Sequence, residues 1–188
     1  MDCIISSIHY CPVKSLSFQS INSCNIKKNL GILNDRIFAF SRGVELAKAK
    51  SIEKNPNERK LKDLLTLKNS PVLNKYNFSY NDNQLTLSLN NSEIISILTD
   101  NHQEKIKLCD QLTKLENSLT KPISLIRNNK FPFFDTTHSN KIFNSVSLIN
   151  LNSVKDFEEK IKEKIEPQRF RGNFYVNGIE AWKERSWI

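Results

Sequence analysis

The sequence predicts a mainly β chain with a few helices, of the α+β class. Three observations carry this. Short strand-like runs dominate the first hundred residues, several alternating apolar and polar positions between asparagine-rich turns. Two amphipathic stripes at helical spacing interrupt them. Prolines and only 4 glycines mark the breaks, so each glycine is expected where a side chain would not fit.

In chain order, 3–10 (CIISSIHY) reads as a strand stopped by Pro12, and 18–26 (FQSINSCNI) as a second. A third, 36–40 (RIFAF), runs to the turn at Gly43. Runs 76–80, 84–89 and 92–98 are separated by Asn81-Asp82-Asn83 and Asn90-Asn91, the signature of an antiparallel meander. Together they predict a small barrel or curled sheet. In 102–119, Leu108, Leu112, Leu115 and Leu119 fall on one helical face. A second helix is expected over 153–166, with Ser153 as N-cap and Val154, Phe157, Ile161 and Ile165 along one side until Pro167 stops it. The prolines and polar break in 121–135 divide the chain into units 1–125 and 130–188, the second too short to bury a comfortable core alone.

The formal charge of +8 favours an anionic partner. Many of the lysines lie in mixed-sign stretches, 51–63 and 155–164, that read as solvated faces, and no recognised nucleic-acid-binding motif accompanies the charge. No apolar run is long enough to span a membrane, and the N-terminus lacks the pattern of a secretory signal. Cys3, Cys11, Cys24 and Cys109 form no CxxC pair, and His9, His102 and His138 are scattered, so the cysteines read as reduced thiols of a cytoplasmic protein.

Three stretches offer chemistry. In QRFRGNF (168–174), read as a strand, Arg169, Arg171 and Asn173 share one face while Phe170 and Phe174 point into a core. Two guanidiniums and an amide on one face grip a phosphate or polar heterocycle, and Gly172 permits close approach. The same pattern fits an exposed strand whose arginines pair with the acidic helix before it. In YCPVKSLSF (10–18), Pro12 places Lys14 and Ser15 in a turn, at an anion or simply at the surface. In GILNDRIFAF (31–40), Asp35 and Arg36 would face opposite sides of a strand, so Arg36 needs a partner of its own, an ion pair or a bound anion. The cations and amide favour binding a compact anion over side-chain acid–base catalysis, since no Ser/His/Asp, Cys/His or paired-carboxylate constellation emerges.

The order PVKS (12–15), GxxxDR (31–36), SLINLNSV (147–154), RFRGN (169–173), Asn177-Gly178 and WxExxW (182–187) resembles the MOSC proteins, which include the C-terminal domain of molybdenum cofactor sulfurase. The resemblance implies a MOSC N-terminal β-barrel followed by an incomplete MOSC β-barrel. It implies a site for the molybdenum cofactor (molybdopterin), a phosphate-bearing pterin whose dithiolene holds the metal. Matched to the family's motifs, Lys14, Ser15, Arg36, Arg171 and Asn173 would contact that cofactor. The loop 135–146 contributes in relatives but does not align cleanly, leaving Asn144 and Ser145 as candidates.

Family members act in molybdenum-dependent reduction or sulfur transfer, with a redox or sulfur-donor protein as partner. Some carry a pyridoxal-phosphate domain, whose lysine loop nothing here resembles. Relatives continue past WxExxW into further strands and a cysteine that ligates molybdenum or carries sulfur, and none of the four cysteines here matches that place. The resemblance therefore implies no catalytic or metal-ligating residue in this sequence. It describes a truncated product, a remnant that binds without reacting, or a site completed by a second chain, with WKERSW starting a return strand and leaving an open strand edge. The rivals are a non-catalytic cofactor carrier and a basic nucleic-acid-binding protein.

Overall fold

A computed structural model describes residues 2–134 and 145–187. In chain order the elements are β1 (Ile4–Tyr10), β2 (Gln19–Ile21), β3 (Ile26–Lys27), β4 (Gly31–Ile32), β5 (Phe38–Arg42), α1 (Leu46–Lys54), β6 (Tyr76–Asn81), β7 (Gln84–Leu89) and β8 (Ser92–Leu98). There follow α2 (His102–Leu115), β9 (Ile123–Arg127), β10 (Leu148–Asn150), α3 (Leu151–Ile161) and β11 (Phe174–Asn177). The fold is mixed α+β and mainly β. Its strands divide into sheets of four, two, two and three strands, and no closed barrel forms among the described residues. Nor, among those residues, is any helix long and apolar enough to cross a membrane.

The β6–β7–β8 meander follows directly from alternation. Tyr76, Phe78 and Tyr80 are buried while Asn77, Ser79 and Asn81 are exposed, the period of a one-sided sheet. Asp82-Asn83 and Asn90-Asn91 all take positive φ, the geometry of tight hairpin turns whose twist suits the flanking strands. α2 starts where the Asn101 side chain accepts from the N–H groups of Gln103 and Glu104. It buries Leu108, Cys109 and Leu112 against the core, with Leu119 buried beyond its end. Leu115 is exposed because the helix stops there, so it drops out of the expected stripe.

β5 is the structural spine. Phe38 and Phe40 enter the main core beside Val13, Leu16, Phe78 and Leu125. Ala39 faces a second cluster with Ala49, Ile52, Leu64, Ile126 and Phe133. That second cluster needs α1, a helix that the charged composition of 51–63 conceals; its buried residues are Ala49 and Ile52, one turn apart. β1 sits between β11 and β2, so 4–10 shares a sheet with 148–150 and 174–177.

Several local expectations are corrected. The run 18–26 splits into β2 and β3. α3 begins at Leu151, capped by the Asn150 side chain rather than by Ser153. Of its stripe only Val154 is buried, while Phe157 and Ile161 are exposed. Residues 167–170 wind into a 3-10 turn instead of a strand, because Pro167 starts a turn and Arg171 ends it at φ 55. Phe170 is therefore exposed. The closing WKERSW is also a 3-10 turn, Lys183–Ser186, entered through Trp182 at φ 66, and not a return strand.

Candidate anion-binding site

The site grows from β5 outwards. The turn after β1 lies along the start of β5: Phe38 N–H donates to Pro12 O, and Lys14 N–H to Phe38 O at 2.8 Å. The segment after α1 lies along the far end, where Leu65 N–H donates to Phe40 O at 2.9 Å and Leu64 bridges Ser41. Residues 12–16, Arg42 and 61–69 are thereby brought to one side of the molecule.

Asp35, 1% exposed, ties the site to both ends of the chain. Its Oδ1 accepts from the Cys11 N–H at 2.8 Å, and its Oδ2 accepts from Asn173 Nδ2 at 3.1 Å and from Arg36 Nη1. The expected separation of Asp35 and Arg36 on opposite faces of a strand is overturned. Arg36 adopts φ 55 in the turn before β5, which folds its guanidinium back onto its neighbour. Burial pushes the Asp35 carboxyl up from its ordinary value, and the Arg36 charge opposes that.

Asn173 is equally buried and saturates its amide within the protein. Its Oδ1 accepts from Ser147 N–H and Oγ, and its Nδ2 donates to His9 O and Asp35. It holds β1, β10 and the 31–36 turn together, and the strand pattern that placed it beside Arg171 hid that role. Arg171 comes from the left-handed residue ending the 3-10 turn, and its Nη2 donates to Leu16 O at 2.6 Å. The Phe18 ring lies 4.8 Å from the Arg171 guanidinium and 5.6 Å from that of Arg36, with Phe134 5.1 Å from the latter. Burial lowers the Arg171 pKa. Cys11, fully buried, donates from Sγ to Val13 O at 2.9 Å; burial raises its pKa against the pull of Arg36 and Arg171.

Ser15, at φ 63, and Arg171 line a cleft of about 590 Å³ together with Arg42, Lys62, Thr66, Lys68 and Asn69. That volume lies within the roughly 300–1,000 Å³ usual for small-molecule sites. Among the described residues four cations line it and no carboxylate does. The wall at 66–69 is a turn closed by Ser70 N–H to Thr66 O, with Thr66 N–H donating to Asn69 Oδ1 at 3.0 Å. Arg42 Nη2 donates to Thr120 Oγ1, whereas its buried Nε–H has no acceptor among the described residues.

Of the sequence-predicted residues, Ser15 and Arg171 reach the cleft, and Lys14 is buried beside it in the same turn. Arg36 stands behind Phe18 against Asp35, and Asn173 supports from below. Arg169 and Ser145 are exposed and outside the cleft lining, and Asn144 lies outside the described residues. Sequence reasoning missed Arg42, Thr66 and Lys68, as well as Lys62, which sits in a stretch read as a solvated face, and also the bracing role of Ser147. Among the described residues no group of three or more His, Cys, Asp or Glu is placed to hold a metal. Cys3, Cys24 and Cys109, like Cys11, are absent from the cleft lining. The sequence matches no protein-family model and no curated protein.

Proposed function

We propose that this chain binds the molybdenum cofactor in the manner of the MOSC proteins it resembles, gripping the cofactor's phosphate in the cleft between Ser15 and Arg171. The observation that carries the reading is convergence. Residues from opposite ends of the sequence meet on one cationic wall, where the Arg171 side chain bonds the carbonyl of Leu16, 155 positions away. The donors fit a phosphate: a guanidinium able to bond in a fork, a hydroxyl at Ser15, and further cations with no carboxylate competing among the described residues. Lys14 and Arg36 add positive potential, and Arg36 and Asn173 hold the two turns in register through Asp35. The bound cofactor would supply two-electron or sulfur-transfer chemistry at its metal.

The donor set does not fit the metal end. Cys11, the cysteine nearest the two guanidiniums, is buried with its thiol engaged, and no described cysteine lines the cleft. This favours a binding or carrier role for these residues, with the ligand delivered to or received from a redox or sulfur-donor protein in the cytoplasm. Purification after co-expression with cofactor biosynthesis, followed by oxidation to the fluorescent pterin and metal analysis, tests the reading. Pterin that copurifies with the protein and is lost in Arg171→Ala is the expected result. Protein without pterin would overturn it, and salt-sensitive DNA retention indifferent to Arg171→Ala would favour the nucleic-acid reading instead.

A further inference from the structure

The cleft lining has more positive charge than one phosphate uses. Lys62, Lys68 and Arg42 contribute to it; among the described residues no carboxylate lines it and none of the three is in an ion pair. Lys62 sits in the 3-10 turn Leu61–Asp63 and Lys68 in the 66–69 turn. Both segments are held to β5 through the backbone of Leu64 and Leu65, so the lysines are presented by anchored chain and not by a loose loop. Thr66 Oγ1 accepts from the Asn69 N–H, which leaves the hydroxyl's own proton to donate.

Arg42 adds a guanidinium to the same lining, and among the described residues no carboxylate pairs with it. Its Nη2 donates to Thr120 Oγ1, and its buried Nε–H has no acceptor among the described residues. A ligand anion brought to the cleft would neutralise the charges of Lys62, Lys68 and Arg42 together.

We propose that Lys62, Lys68 and Arg42, with the Thr66 hydroxyl, form a second anion subsite facing Ser15 and Arg171, so that the cleft takes a ligand with two linked phosphoryl groups. The ligand class is a pyrophosphate ester, one phosphoryl group on each wall. This rests on the reading of the Ser15–Arg171 wall as a phosphate site, and extends it to residues that no family motif includes.

Inorganic pyrophosphate and orthophosphate are the probes, titrated calorimetrically into the intact protein at low salt. Wild type should bind pyrophosphate about tenfold tighter than orthophosphate, since a second set of charge-assisted bonds is added. Lys62→Ala/Lys68→Ala should bring the two affinities within about twofold while leaving orthophosphate binding unchanged, because the first subsite is untouched. Arg171→Ala should weaken both anions. A charge-matched control, Lys107→Ala/Lys155→Ala on the exposed faces of α2 and α3, should keep the pyrophosphate preference; circular dichroism confirms that each variant is folded. Equal wild-type affinities, with orthophosphate still dependent on Arg171, would overturn the second subsite and leave the first standing. A control that loses the preference as fully as the cleft variant would overturn it as a net-charge effect. Failure of wild type to bind either anion would remove both readings.

Discussion

The amide of Asn173 donates to the carboxylate of Asp35 across 3.1 Å, closing a buried contact between residues 138 positions apart. The same carboxylate holds the Cys11 backbone and the Arg36 guanidinium, so one acid organises both turns that frame the cleft. Removing it should be worse than removing the Asn173 amide. Asp35→Ala leaves the Arg36 charge without its carboxylate and two buried donors without acceptors, and should cost about 3–5 kcal/mol. Asn173→Ala, which strands only hydrogen-bonding groups, should cost about 1–3 kcal/mol. Urea unfolding measures both, and a loss below 1 kcal/mol for Asp35→Ala would show that the acid is not the organising contact.

Asp35 and Glu116 should give opposite responses to pH. Burial raises the Asp35 carboxyl in the folded protein, so its contribution is fully present below the unfolded value near 3.8 and is lost as pH rises through the raised folded value. For Glu116, burial also pushes upward, but the hydrogen bonds from Lys75 and Tyr76, both 2.6 Å, more than reverse it and leave the carboxyl below its ordinary value. Its contribution is present above the unfolded value near 4.5 and is lost as pH falls through the folded value. Glu116→Gln should therefore flatten the acid side of the stability profile, and Asp35→Asn should remove the decline that sets in as pH rises from about 4. Denaturant midpoints across pH 3–7 distinguish the two signs.

What the sequence reveals and conceals follows from where each decision is made. The β6–β8 meander is legible because burial on one face writes itself as alternation, and paired Asn and Asp residues announce the turns. The 168–174 stretch misleads because its conformation turns on Arg171 taking φ 55, a left-handed position that arginine does not advertise. Its two functional neighbours, Arg171 and Asn173, still converge, but one faces the cleft and the other is consumed in bracing. The second wall is illegible because Lys62 and Lys68 look like any solvated lysine until β5 pairs with Leu64 and Leu65. Asp35 is visible only as the neighbour of an arginine; that it serves three partners is a tertiary fact.

Gly178 should tolerate no side chain. It sits at φ +83, and a Cβ there would lie 2.3 Å from the backbone oxygen of Asp2. Left-handed strain alone costs roughly 1–2 kcal/mol, and the clash with backbone cannot be relieved by a rotamer change. Gly178→Ala should destabilise by more than about 2 kcal/mol, and should do so by separating β1 from β11. Amide exchange should accordingly quicken in Ile4–Tyr10 first, and uniform exchange loss across β6–β8 would refute that order.

Arg42 should be a residue that serves a ligand at the expense of the free protein. Its one side-chain bond, Nη2 to Thr120 Oγ1, is solvent-exposed and contributes little, while its buried Nε–H has no acceptor among the described residues. Methionine keeps the length of the stem and removes both the charge and the stranded donor. Arg42→Met should therefore leave stability unchanged or raise it by about 1 kcal/mol. If the far wall of the cleft is a phosphoryl subsite, the same substitution should weaken pyrophosphate binding about tenfold and orthophosphate binding much less. A marked loss of stability with pyrophosphate affinity intact would mean that Arg42 is a structural strut and that its orphaned nitrogen has no bearing on binding.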